Sequence, residues 1–327
     1  MNKVLITGAG GFIGSNLVEE LVNKGMKVRA FIHYNSRNSW GNLELLSSKI
    51  LNEVEIFTGN IEDPFSVKKA VKNCDTVFHL AALIGIPYSY IAPESYVNTN
   101  VKGTLNVMQA CLDENVEKII HTSTSETYGS AIYTPIDEKH PLQGQSPYSA
   151  SKIGADKIAE SYYLSFSLPV ATIRPFNTYG PGQSARAIIP TIISQVLTTK
   201  TNKIKLGSLS PVRDLNFVKD TINGFINIAE NERSIGEVIN IGFGKGITIG
   251  ELAERIINFI NPKIEIICDE KRIRPDKSEV IKLICNNEKA KRLVNWQPNY
   301  TLDKGLEETI QFIREHLNIY KPEIYNV

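Results

Sequence analysis

The chain has 327 residues, enough for one large domain with a smaller companion or for two of ordinary size. Its 42% hydrophobic and 22% charged residues are the proportions of a globular protein. A net charge of +1 provides no overall field for nucleic acid or an anionic membrane, so neither is expected as a partner, and an anionic ligand must be held by local groups.

Lys3–Thr7 reads as a buried strand, with no charged region, apolar run and cleavage site of a signal peptide before it. Gly8-Ala9-Gly10-Gly11-Phe12-Ile13-Gly14 follows, opening a helix over Phe12–Asn23 with Leu17, Leu21 and Val22 on one face. Spaced as Gly8-x-x-Gly11-x-x-Gly14 between strand and helix, the segment is a dinucleotide-binding turn. The first glycine makes the bend, the second lets backbone approach a pyrophosphate, and the third lets helix and strand pack closely. Backbone N–H groups at Gly11, Phe12, Ile13 and Gly14 then face the phosphates at the helix N-terminus.

Lys27–Ile32 is a second strand. NAD sites usually place a carboxylate about 20 residues after the glycines, yet the segment here runs Ile32-His33-Tyr34-Asn35-Ser36-Arg37. Ser36 and Arg37 are suited to a 2′-phosphate, so NADP is favoured; with Arg37 read as a solvated loop residue, NAD is the alternative. Val54–Thr58 is a third strand, Pro64–Lys72 a helix and Asp75–Leu80 a fourth strand. Asn60-Ile61 and Leu80-Ala81-Ala82 follow these strands at the sheet edge where adenine and ribose should pass. Asn100, in a long helix within Pro93–Glu114, is counted with the cofactor-binding residues.

A fifth strand, Lys118–Thr122, runs into Ser123-Thr124-Ser125-Glu126-Thr127-Tyr128-Gly129, placing hydroxyls and a carboxylate beyond a strand's C-terminal end; some of the hydroxyls would serve equally to cap the turn. Tyr148-Ser149-Ala150-Ser151-Lys152 opens a helix over Tyr148–Ser165, so phenol and ammonium share a face. Lys152, with the charge of a nicotinamide, would lower the pKa of Tyr148 and make it a base near neutral pH. The strand Pro169–Ile173 completes a β-α-β alternation that predicts an α/β fold, a doubly wound parallel Rossmann sheet over residues 1–174. Residues 175–327 are less regular, with helices near Ile188–Thr198, Lys219–Glu230, Ile249–Phe259 and Leu302–Leu317. They read as a smaller α/β substrate domain, with some segments returning to the first. Cys74, Cys111, Cys268 and Cys285 are widely spaced with no Cys/His cluster, so no metal is expected, and they read as buried residues of a reducing cytoplasm. No stretch approaches the ~20 apolar residues of a membrane span.

The glycine turn, Thr124-Ser125-Glu126, Tyr148-x-x-x-Lys152 and Arg174-Pro175-Phe176-Asn177-Thr178-Tyr179-Gly180-Pro181 together resemble the extended short-chain dehydrogenase/reductase family, and within it the nucleotide-sugar 4,6-dehydratases. The resemblance spans nearly the whole chain. It implies that Thr124 bonds the hydroxyl on sugar carbon 4, that Tyr148 takes its proton, and that Lys152 tunes Tyr148 and holds the nicotinamide ribose. Asn177 would contact the phosphates, Arg213 and Arg274 would clamp the diphosphate, and Lys205 would approach the base; Arg186 is counted with the substrate-binding residues. Glu126 is the feature that implies dehydration: once carbon 4 is oxidised, a carboxylate can take the acidic carbon 5 proton as water leaves carbon 6. The stored hydride then returns to carbon 6 and regenerates a tightly held cofactor.

Glucose-type members carry an Asp-Glu pair, whereas Ser125-Glu126 resembles the GDP-mannose dehydratases and the nucleotide-uronate decarboxylases. Either Glu126 performs both proton transfers or Ser125 relays one. The loop Ala82–Tyr88 and Arg186-Ala187-Ile188-Ile189-Pro190 are similar to dehydratases acting on UDP- or GDP-linked N-acetylglucosamine in legionaminic-type pathways. The competing readings are a nucleotide-uronate decarboxylase, a 4-epimerase and a noncatalytic NADP-binding regulator. A homodimer is implied through the helices within Pro93–Glu114 and Tyr148–Ser165, with Val101, Leu105, Met108, Ile158 and Tyr162 serving either that interface or the chain's own core.

Overall fold

The computed structural model describes residues 1–273 and 278–322. Among them the strands are β1 (Lys3–Thr7), β2 (Lys27–His33), β3 (Val54–Gly59), β4 (Thr76–His79), β5 (Lys118–Thr122), β6 (Val170–Pro175), β7 (Asn177–Tyr179), β8 (Lys203–Leu206), β9 (Val212–Phe217), β10 (Val238–Ile241), β11 (Gly246–Thr248) and β12 (Glu265–Cys268). The α-helices are α1 (Phe12–Asn23), α2 (Ser48–Leu51), α3 (Pro64–Val71), α4 (Ile86–Ile91), α5 (Pro93–Tyr96), α6 (Gly103–Asp113), α7 (Pro147–Phe166), α8 (Ile188–Thr198), α9 (Val218–Glu230), α10 (Ile249–Ile260), α11 (Glu288–Val294) and α12 (Leu302–Glu315).

A seven-stranded sheet runs β10-β6-β5-β4-β1-β2-β3, and each neighbouring pair is parallel. Such strands are apolar on both faces because helices cover both. Val4, Ile6 and Ile120 face a core that includes Leu17 of α1 and Phe225 of α9. Leu5, Val77 and Ile119 face the opposite core with Val67 of α3, Met108 of α6 and Ala159 of α7. The order reverses between β1 and β4, and the crevice beyond the C-terminal ends of these strands is where such sheets take ligands. Two smaller sheets, β11-β9-β7 and β12-β8, are built from the second half.

The long helix expected within Pro93–Glu114 is interrupted: α5 and α6 flank a π-helical turn, Val97–Lys102. A π turn widens the backbone and commonly marks a site. Here it holds buried Asn100, whose side chain grips Leu83 and Ser151. β10 is the segment of the second half that joins the large sheet, pairing with β6. Its run Val238-Ile239-Asn240-Ile241 is too short and too featureless to stand out in the sequence. Nearby, Asp220 fastens the C-terminal segment to α9, accepting the backbone N–H groups of Asn299 and Tyr300, while its own carbonyl accepts the Trp296 indole.

Candidate active site

The glycine turn follows β1 directly. Gly8 has φ +70, and a Cβ there would meet the Ala81 nitrogen at 2.8 Å. A Cβ on Gly14 would lie 2.3 Å from the Gly8 carbonyl oxygen, so helix and turn touch only because both residues are glycine. The N-terminus of α1 has Gly11 as its cap, no side-chain capping bond and no acidic residue in the first turn. It is therefore an open anion site in which Phe12 and Ile13 present backbone N–H groups. Opposite it, the N–H groups of Leu80 and Ala81 both donate to Thr7 Oγ1 at 3.1 Å, fixing the start of the Leu80–Ala82 segment against β1. Asn60 is exposed beyond β3, and Ile61 packs beneath Gly103. Arg37 lies exposed in a turn shaped by Asn35, whose Oδ1 accepts the N–H groups of Arg37 and Ser39.

Ser146 begins α7 through a capping box with Ser149, and Pro147 occupies the first turn. This fixes Tyr148 at the helix mouth and Lys152 one turn on, both buried. Thr124 follows β5, and its hydroxyl accepts the N–H of Glu126 at 3.3 Å, capping the short 3-10 turn Ser125–Tyr128. The hydroxyl proton remains free for another partner. Burial pushes the Tyr148 phenol above its ordinary value; hydrogen bonding with Thr124 works against this, and the Glu126 and Tyr96 charges add to it. The Tyr96 ring meets Tyr148 edge-on at 6.2 Å. Thr124 and Glu126 thus lie near enough to Tyr148 to act on its phenol, and Ser125 is buried in the short turn between Thr124 and Glu126.

The expected pairing of Lys152 with Tyr148 is different in detail. Lys152 Nζ donates to the Thr122 carbonyl at 2.6 Å, and burial draws the ammonium down to about 8. The phenol is raised rather than lowered because the loss of solvation is the largest influence on it.

On the substrate side Asn177 begins β7, and its Oδ1 is buried with no protein partner. Arg213 on β9 is buried; it donates to the Val212 carbonyl at 3.2 Å and to Glu279 at 3.1 Å. Arg186 is exposed, with its charge felt by Tyr96. Lys205, on β8, is exposed, and Gln195 of α8 brackets its backbone. Arg274 lies outside the described residues. The second half therefore presents Asn177 and Arg213 in buried settings but leaves Lys205 and Arg186 as surface charges. Sequence reasoning missed Tyr96, Glu279 and the buried Asp156, which joins His121, Ser123 and Arg174. For the last, the spacing Tyr148-Lys152-Asp156 was the available signal, since each residue follows one turn after the previous one.

The family model for GDP-mannose 4,6 dehydratase matches residues 5–309. The chain belongs to this family. It is 31% identical over 317 residues to the low-salt glycan biosynthesis protein Agl12 of Haloferax volcanii, covering 94% of this chain and 97% of that one. Over 324 residues it is 32% identical to the UDP-N-acetyl-alpha-D-glucosaminuronate decarboxylase of Bacillus cytotoxicus, with 96% and 98% covered. The solved dTDP-glucose 4,6-dehydratase DesIV of Streptomyces venezuelae, with NAD and TYD bound, superposes with a TM-score of 0.86 at 26% identity, over 98% of this chain and 99% of that one.

As a member of this nucleotide-sugar 4,6-dehydratase family of extended short-chain dehydrogenase/reductases, the chain is an enzyme with a Rossmann sheet. The dinucleotide that such a sheet implies fits the residues present: the α1 N-terminus is uncapped, and side chains at Gly8 and Gly14 would close the turn. Among the described residues no group of three or more metal-ligating side chains occurs, and no helix is long and apolar enough to cross a membrane.

Of the five apolar positions named for a dimer, two are buried and two are half-buried. Met108 and Tyr162 are buried in the α6–α7 core, Ile158 packs against it, and Val101 is the neighbour that a Cβ on Gly154 would meet at 3.2 Å. They pack inward because α6, α7 and the π turn lie against one another. Leu105 remains 39% exposed, and outward-facing Val97, Leu164 and Phe166 were not anticipated.

Proposed function

We propose that the enzyme dehydrates N-acetylglucosamine carried on UDP or GDP, yielding the 4-keto-6-deoxy sugar, with NADP as its cofactor and NAD as the alternative. The observation that carries this reading is Glu126 beside the Thr124–Tyr148 couple. Thr124 directs the carbon 4 hydroxyl, and Tyr148 removes its proton. Lys152, aimed by the Thr122 carbonyl, holds the nicotinamide ribose. When bound, a nicotinamide would supply the hydride acceptor for oxidation at carbon 4 and the hydride donor for reduction at carbon 6. Glu126 takes the carbon 5 proton, Glu126 or Ser125 protonates the departing carbon 6 hydroxyl, and a solvent-exchanged proton returns to carbon 5 as hydride reaches carbon 6. Asn177 and Arg213, with Arg274, hold the diphosphate, for which guanidinium forks are well matched. Lys205 and Arg186 act further out on the nucleotide.

NADP is favoured by the exposed Arg37 and by the absence of a carboxylate between Ile32 and Arg37. The N-acetylglucosamine assignment rests on the resemblance of Ala82–Tyr88 and Arg186–Pro190. A second reading, decarboxylation of a nucleotide uronate, is favoured by the Bacillus cytotoxicus relative and by Ser125-Glu126. Incubation with a panel of UDP- and GDP-sugars, with mass analysis of products and calorimetric titration of both dinucleotides, tests all of this. Loss of one water from the N-acetylglucosamine nucleotide and tighter NADP binding are expected. Loss of carbon dioxide from a uronate, or an unchanged mass with inverted carbon 4, would replace the reading.

A further inference from the structure

Asp156 takes no part in the proton transfers proposed above, yet it is buried one turn beyond Lys152 on α7. Its Oδ1 accepts from His121 Nε2 at 3.0 Å, and its Oδ2 accepts from Ser123 Oγ at 2.6 Å and from an Arg174 terminal nitrogen at 2.7 Å. Arg174 Nε also donates to Ser123 Oγ at 3.1 Å, and its guanidinium lies 4.7 Å from the centre of the Tyr128 ring. His121, Ser123 and Arg174 are buried as well. One carboxylate thus joins the end of β5, the end of β6 and the catalytic helix. It grips residues 121 and 123, and the residue between them, Thr122, presents its carbonyl to Lys152 at 2.6 Å. The next residue in the chain is Thr124.

The charges around this carboxylate are few. Arg174 faces it from β6 and Lys152 from its own helix. Burial lowers the pKa of His121 on β5, as it does that of His79 on β4, whose ring lies 5.8 Å from the His121 ring. His121 therefore serves as a neutral donor. Tyr148, on the same helix, carries no charge until it loses its proton. Burial alone would raise the Asp156 pKa, but the His121 hydrogen bond and the Arg174 charge hold it well below the usual carboxylate range. A single negative charge is therefore shared by two buried cations. Removing it leaves Lys152 with desolvation, which favours the neutral amine.

We propose that Asp156 is a positioning residue for the proton transfer at Tyr148: it clamps the end of β5 to α7, so that the Thr122 carbonyl and the Thr124 hydroxyl face Lys152 and Tyr148, and its charge keeps Lys152 an ammonium. The proposal rests on the roles given above to Lys152 and Tyr148, but its first measurement needs no sugar. In protein labelled with carbon-13 at lysine Cε, the Lys152 resonance, identified by its loss in Lys152→Arg, is followed against pH. In the wild type Lys152 is an ammonium at neutral pH; a neutral amine there overturns the proposal before any further variant is made. In Asp156→Asn the Lys152 midpoint falls by about one pH unit, a tenfold change in its protonation constant. In Arg174→Gln, which removes the competing cation, the midpoint rises. Should Asp156→Asn not fold, Arg174→Gln carries the test alone. With the nucleotide sugar that turns over, the alkaline limb of kcat in Asp156→Asn moves down with the Lys152 midpoint while KM stays within about twofold, and Asp156→Glu restores part of the shift. A merely structural role would lower kcat without moving the limb. Unchanged Lys152 midpoints in the folded variants overturn the proposal, whereas a sugar panel without turnover overturns only the dehydratase reading.

Discussion

Burial raises the Tyr148 phenol and draws the Lys152 ammonium down to about 8, so both groups are displaced toward their uncharged forms. A phenol raised in this way is a poor base, and under the proposed function the positive charge of a bound nicotinamide would counter the shift. Tyr148→Phe keeps the ring and its edge-on contact with Tyr96 but removes the transferable proton. Turnover is expected to fall by roughly 10²-fold or more, with dinucleotide and nucleotide-sugar affinity within a few-fold by calorimetry. Near-normal turnover would remove Tyr148 from the chemistry. Tyr148, Lys152, Thr124 and Glu126 were legible because each pair is joined by local spacing, one helical turn or one strand end. The grip of Asp156 on His121, Ser123 and Arg174 was not, because it is assembled from three elements that only folding brings together.

At the scale of elements, β1, α1 and β5 fall at the boundaries the sequence indicates, since apolar periodicity and the glycine turn act locally. The π turn within the Pro93–Asp113 helices escaped notice because nothing in Val97–Lys102 breaks helical periodicity; it is tertiary contact through Asn100 that repays the wider turn. Apolar residues on α6 and α7 were equally hard to divide between core and surface, and the mutual packing of these helices takes most of them inward. For the proposed homodimer the outer faces of α6 and α7 are the surfaces available, with Leu105 and Phe166 39% and 54% exposed. Leu105→Glu should therefore shift the mass measured by light scattering at micromolar concentration from dimer toward monomer without lowering the thermal midpoint of the monomer fraction. A wild type that is already monomeric would contradict the dimer.

Over the whole molecule, the parallel sheet is legible from β-α-β alternation, while the second half is tied in by polar anchors that no periodicity announces. One of them is Asp214 on β9, fully buried, which accepts the N–H groups of Phe243, Gly244 and Cys285 at 2.8–2.9 Å. Burial pushes its carboxyl up to about 6 from 3.8 even though these three donors oppose the shift. A carboxyl whose pKa is raised on folding binds its proton more tightly in the folded state. Its contribution to stability is thus fully present below 3.8 and is lost as the pH rises through about 6. The difference in thermal midpoint between wild type and Asp214→Asn should shrink as pH rises across this window; a constant difference would rule out Asp214 as the source of the slope. The same sheet brings the cofactor turn, the Tyr148 couple and Glu126 to one edge, where the proposed oxidation at carbon 4 and elimination across carbons 5 and 6 would both take place. They are separated most directly by a single-turnover absorbance trace of Glu126→Gln, with mass analysis of the quenched sugar in deuterated solvent. Gln keeps the shape and a hydrogen-bonding end but cannot serve as the base. Expected is reduced cofactor that accumulates together with a 4-keto sugar still bearing its carbon 6 hydroxyl, without deuterium at carbon 5. Dehydration at the wild-type rate, with deuterium entering carbon 5 normally, would show that Glu126 is not the base and that the dehydratase assignment has lost its main support.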